Sequence, residues 1–147
     1  MITMRANRFS DWQIIAEKIV RYLSPGTILA LNGPLGVGKT TLVQAIAKEL
    51  GSVSEPKSPT FALLRIHQIK PNSQGVLRLV HVDAYRIEDE RDLLPLDLEA
   101  ELTEPGTVLA IEWSERIPRW MARQKKVIPI TISMVDSERT IEMPSLS

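Results

Sequence analysis

The residues Gly33-Pro34-Leu35-Gly36-Val37-Gly38-Lys39-Thr40 follow the pattern of a glycine, four residues, then Gly-Lys-Thr. Glycines at those places let successive backbone N–H groups turn inward around a phosphate, at the positive end of the helix that follows. Lys39 has the reach and charge for the β and γ phosphates of a nucleotide, and the Thr40 hydroxyl is a hard oxygen ligand for Mg²⁺. Such a loop carries this chemistry only between a strand and a helix. Both are predicted here: Thr27 to Leu31 is a short apolar run of strand length, and Lys39 to Leu50 reads as a helix closed by Gly51.

A Mg²⁺–nucleotide site also requires carboxylates at the ends of neighbouring strands, to orient the metal's water shell and an attacking water. Two apolar runs end in an acid. Leu77 to Val82 delivers Asp83, and Val108 to Ile111 delivers Glu112. Strand ends often carry solvated acids, so each alone is weak, but two beside an intact loop pattern point to function. His81, two positions before Asp83, shares its face and is read as a hydrogen-bonded structural group. Trp113 is read as packing. The Ser58-Pro59-Thr60-Phe61 segment could bring a hydroxyl to a γ-phosphate, although by itself it is only a turn.

The elements that must position these groups alternate in type. A helix is predicted from Ser10, capped by that residue with Gln13 answering, and carrying Trp12, Ile15, Ala16, Ile19 and Leu23 on one face. Phe61 to Ile69 and Val76 to Val82 form a hairpin across Lys70 to Gly75, and Asp89 to Glu101 is one or two short helices broken at Pro95. Thr107 to Ile111, Lys126 to Ser133 and Thr140 to Met143 are strands, the last two joined by a turn at Asp136-Ser137-Glu138. The expected fold is α/β, a single three-layer domain over residues 1–147 of the phosphate-loop NTPase type, with a mixed, mostly parallel sheet flanked by helices.

Composition limits what this domain can do. With 18 Lys+Arg against 18 Asp+Glu the formal charge is zero, which argues against a protein that holds nucleic acid by bulk charge. No Cys and only two His leave out thiolate metal sites and disulfides. The longest uncharged run, Tyr22 to Gly38, has four Gly and two Pro, unlike a membrane span, and no secretory signal is visible, so a cytoplasmic protein is expected.

Taken together, GPLGVGKTT, SPTF, HVDAYR and IEW, in this order and in a chain of this length, resemble the TsaE family, small bacterial ATPases of tRNA threonylcarbamoyladenosine biosynthesis. The resemblance runs from the helix near Ser10 to Trp113 and beyond. It implies ATP and Mg²⁺ as cofactors, with Gly33, Leu35, Gly36, Val37, Gly38, Lys39, Thr40 and Thr41 around the phosphates. Glu112 completes the metal site, Asp83 supports it, Thr60 is switch-like, and Asp83 and Trp113 serve activity. Phe9, just before the first helix, touches the base, and Glu115 and Arg139 lie near the nucleotide. Pro34 and Val37 stand where the family usually has Asp and Ala, at positions read as tolerant, and Val82 and Ala84 replace bulkier residues. The family works with a TsaB–TsaD complex that modifies the adenosine next to the anticodon, so tRNA would be met only indirectly.

Residue chemistry alone leaves a second enzyme class open, a small-molecule kinase of the phosphate-loop type. A kinase lid carries arginines that clamp phosphates, whereas Asp89 to Glu101 is short, acidic and contains only Arg91. A third reading is a nucleotide-dependent interaction module with negligible turnover.

Overall fold

The computed structural model of the protein describes residues 1–53 and 64–145. Seven strands build one sheet: β1 (Ile2–Ala6), β2 (Ile28–Asn32), β3 (Leu64–Gln68), β4 (Arg78–Asp83), β5 (Thr107–Glu112), β6 (Val127–Val135) and β7 (Glu138–Met143). Their order across the sheet is β1-β7-β6-β2-β5-β4-β3. The four central strands β6, β2, β5 and β4 run parallel, and antiparallel partners close both edges. The helices are α1 (Phe9–Val20), α2 (Lys39–Leu50), α3 (Leu98–Thr103) and α4 (Pro118–Ala122), with 3₁₀ turns at Glu90–Leu96 and Ser114–Arg116. The architecture is the mixed sheet with flanking helices that the sequence predicts.

Both faces of the central strands are covered, which is why they read as continuous apolar runs. All of β5 is buried. Alternate residues sort to opposite sides: Leu29, Leu31, Val108 and Ala110 pack with α1 and α2, while Ile28, Val80, Val82, Leu109 and Ile111 pack with Trp120, Leu93 and Leu98. Each fully buried Leu or Ile contributes about 1.5–3 kcal/mol, so the strand ends that carry Asn32, Asp83 and Glu112 are anchored by their own cores.

Two local expectations are corrected. Ser10 does not cap the first helix: α1 begins at Phe9, and the Asp11 carboxylate accepts the N–H groups of Asn7 and Arg8, each at 2.8 Å. A charged acceptor outcompetes a hydroxyl there, and the two backbone bonds hold Asp11 below the ordinary carboxylate value. Gln13 instead reaches α2, donating to the Ala45 carbonyl and the Glu49 carboxylate. The break between the two short helices falls at Asp97, in the left-handed region at φ 44°, and Pro95 stays inside the 3₁₀ turn. The expected strand at Phe61 is described only from Leu64, its first residues lying outside the described set.

Strand β1, α4 and the Ser114–Arg116 turn were not predicted. β1 exists by pairing with β7 at the far end of the chain, Met4 opposite Ile141. The last hairpin turns on Asp136 and Ser137, both at positive φ, a two-residue connection of the kind that matches strand twist. Among the described residues no helix is long and apolar enough to cross a membrane.

Candidate functional site

Between β2 and α2 the chain turns over residues 33–38, and both ends of the loop are closely packed. A Cβ at Gly33 would stand 2.5 Å from the Ile132 carbonyl of β6, and one at Gly38, where φ is +119°, 2.6 Å from the Trp12 indole of α1. Only glycine fits at either place. Val37 turns its side chain wholly into the core, so that position is packed and not tolerant, and its backbone alone faces the loop. Leu35 stands exposed at the loop tip.

Lys39 opens α2 and is buried. Its Nζ donates to the Gly33 carbonyl at 2.5 Å and lies 3.5 Å from the centre of the Trp113 ring. Burial lowers the Lys39 pKa, and the fields of Glu112, Glu115 and Asp83 work against that. One residue on, the Thr40 hydroxyl donates to Glu112 Oε2 at 2.7 Å, and His81 Nε2 lies 2.6 Å from the same oxygen. Burial pushes the Glu112 carboxyl up. The hydrogen bond and charge of His81, the Thr40 hydroxyl and the Lys39 charge outweigh it and hold Glu112 below its usual value. An ionised carboxylate only accepts, which assigns the proton on His81 Nε2.

Sheet register explains the meeting: Asp83 at the end of β4 lies opposite Glu112 at the end of β5, and β2 enters the loop beside them. Asp83 Oδ1 accepts the Tyr85 N–H at 3.0 Å, and the Asp83 charge is felt at Lys39. Trp113 takes the left-handed conformation at φ 61°, its N–H bonded to the Leu31 carbonyl. That backbone costs a bulky residue about 1 kcal/mol or more, and here it turns the indole toward Lys39. Trp113 is therefore more than packing. Thr40 and Glu112 offer a hydroxyl and a carboxylate oxygen, the hard donors that suit Mg²⁺. Among the described residues no set of three or more His, Asp or Glu could cage a metal by itself, so further ligands would have to come from phosphate and water.

The other end of the loop borders a cleft of about 280 Å³ walled by Arg8, Phe9, Trp12, Gly36, Thr41 and Arg139. Phe9 is 87% exposed and is the first residue of α1, not a residue ahead of it. Arg139 Nε donates to the Val37 carbonyl at 2.8 Å, tying β7 to the loop. Glu115 stands apart from this cleft, on the wall of another formed with Asn32, Ser114, Pro118 and Met121. Thr60 lies outside the described residues. A roomier groove, about 790 Å³ between Glu90–Leu96 and α4, holds none of the predicted residues.

The structure thus brings together Gly33, Gly36, Gly38, Lys39, Thr40, Asp83, Glu112 and Trp113, and puts Phe9, Thr41 and Arg139 at the second end. Sequence reasoning missed that His81 bonds the candidate metal acid. The available signal was its two-residue spacing from Asp83, which put it on a face shared with the neighbouring strand's acid.

Comparison with known proteins adds to this geometry. The family model described as "Threonylcarbamoyl adenosine biosynthesis protein TsaE" matches residues 6–141. The tRNA threonylcarbamoyladenosine biosynthesis protein TsaE of Bacillus subtilis strain 168 is 37% identical over 131 residues, 89% of this chain and 77% of the relative. The protein of the same name from Mycobacterium tuberculosis H37Rv is 34% identical over 123 residues, 80% of this chain and 71% of the relative. The crystal structure of Bacillus subtilis YdiB aligns with a TM-score of 0.71 at 26% identity, covering 99% of this chain and 86% of that one. By sequence along nearly its whole length, and by fold, the chain belongs to the TsaE family.

Proposed function

We propose that the protein is an ATP-binding and ATP-hydrolysing accessory factor of tRNA threonylcarbamoyladenosine biosynthesis, acting in the cytoplasm by docking on the TsaB–TsaD complex and resetting it between turnovers. The observation that carries the ATPase reading is the convergence of Lys39, Thr40 and Glu112 under one glycine loop, with the Thr40 hydroxyl 2.7 Å from Glu112 Oε2. Lys39 pairs with the β and γ phosphates, the loop N–H groups wrap them, and Thr40 and Glu112 hold Mg²⁺. When bound, the ion neutralises charge developing on the phosphates. In this reading His81 keeps Glu112 oriented, Asp83 orients water, and Phe9 and Arg139 take the nucleoside.

The zero net charge supports an indirect meeting with tRNA, since the partners would supply the phosphate contacts. The kinase reading gains nothing from the fold: Arg91, the lone arginine of its would-be lid, is ion-paired at 2.7 Å with Asp89 in its own turn.

Phosphate release from ATP, followed with and without purified TsaB–TsaD, tests the proposal. Slow turnover alone and a changed rate with the complex are expected, and Lys39→Ala should lower turnover by about 100-fold or more, as for loss of a principal charge on the transition state. A chain that neither binds ATP nor associates with the complex would sink it.

A further inference from the structure

Lys39 is one end of a continuous ladder of side chains whose other end is solvent-exposed. Its ammonium lies 3.5 Å from the Trp113 ring centre, the Trp113 and Tyr85 rings are 5.1 Å apart, and the Arg116 guanidinium lies 5.5 Å from the Tyr85 ring and 5.8 Å from that of Trp113. Both cations are thus within cation–π range of one aromatic pair. The backbone sets up the ladder. The Arg116 N–H bonds the Trp113 carbonyl at 3.0 Å, so the 3₁₀ turn folds Arg116 back over the ring that precedes it. Arg116 Nη1 also reaches the Ile87 carbonyl, just beyond Tyr85, while Asp83 Oδ1 fixes the Tyr85 N–H.

We infer that Arg116 is a positioning residue: it pins the Tyr85–Trp113 pair, and that pair holds Lys39 against the Gly33 carbonyl before any nucleotide arrives. The inference rests on the reading that this loop binds ATP. A lysine has four rotatable side-chain bonds and, left free, populates many rotamers. Apparent affinity falls in proportion to the fraction of molecules that hold the binding-competent arrangement. Trp113 carries the restraint, but its own backbone is in an unfavourable region and its side chain is only partly buried, so it gains from being held from outside. Arg116 does that without touching the phosphates.

The test uses the full chain without nucleotide. The ε-methylene protons of Lys39, lying over the indole face, resonate upfield in proton–carbon correlation spectra. Arg116→Ala and Tyr85→Ala should each remove at least half of that displacement, and Arg116→Lys, which keeps a cation, should retain it. In the ATPase assay Arg116→Ala should raise KM for ATP about three- to tenfold while kcat stays within about twofold, because a bound phosphate then selects the same Lys39 position. An unchanged Lys39 resonance in Arg116→Ala, or a loss confined to kcat, overturns the inference. ATP titration of the unaltered chain separates the two claims: failure to bind ATP ends the functional proposal, while the nucleotide-free spectra still decide whether Arg116 positions Lys39.

Discussion

At Glu112 the chain buries a carboxylate under a hydroxyl from α2 and an imidazole from β4, whereas at Phe9 it leaves an aromatic ring 87% exposed beside a cleft of about 280 Å³. The two ends of the same loop therefore differ in rigidity. The Glu112 end has its carboxylate, hydroxyl and imidazole bonded to one another before a ligand arrives, so binding there costs little reorganisation. At the Phe9 end one charged bond, Arg139 to the Val37 carbonyl, ties the cleft wall to the loop. If the loop binds ATP as proposed, this build concentrates specificity on the triphosphate and its ion and leaves the base to adaptable contacts.

Breaking the rigid end should have the largest effect. Glu112→Gln keeps the shape but removes the charge that two donors share, so hydrolysis should fall by about 100-fold and the fold should lose about 2 kcal/mol. The sign of its pH dependence follows from the lowered Glu112 pKa. A depressed carboxylate stabilises fully above its unfolded value of about 4.3, and the contribution fades as pH falls through the lower folded value. Urea unfolding of both proteins should show a gap near pH 5 that closes in stronger acid. A gap independent of pH would mean that Glu112 is not held ionised by His81, Thr40 and Lys39.

The rigid end was also the more legible one. Gly33 to Thr40 could be read from sequence because local pattern and chemistry coincide there, and Glu112 because an apolar run stopped at an acid. What escaped depends on tertiary neighbours. His81 is the hydrogen-bonded structural group expected, but its partner, 31 positions away, is set by the register that puts β4 beside β5. β1 is a short edge strand that acquires meaning only against β7, and the cap of α1 was decided by a charged side chain competing with the better-known Ser pattern. Val37 read as a free loop position, yet its side chain is buried, because the loop lies flat on β6 and α1.

An intermediate effect is expected at the bond that joins the two ends. Arg139→Ala frees the Val37 carbonyl and one wall of the cleft while leaving Lys39, Thr40 and Glu112 in place. Loss of one half-buried charged hydrogen bond should cost the fold about 1.5 kcal/mol and weaken ATP binding by about tenfold. Calorimetric titration measures it. A loss as deep as that of Lys39→Ala would show that the cleft end matters to binding as much as the Glu112 end, and the contrast would fail.

The smallest effect belongs to Phe9. Its ring has no packing to lose, so Phe9→Ala should leave the melting temperature unchanged. If a base stacks on it, ATP binding weakens by about three- to tenfold, because stacking on an exposed ring is worth only ~1 kcal/mol at its lower bound. Every base has a π-face, so GTP should weaken by the same factor and the preference between the two nucleotides should not move. A change in that preference would mean that Phe9 orders a base-reading hydrogen bond elsewhere in the cleft, and the adaptable end would then be a specific one.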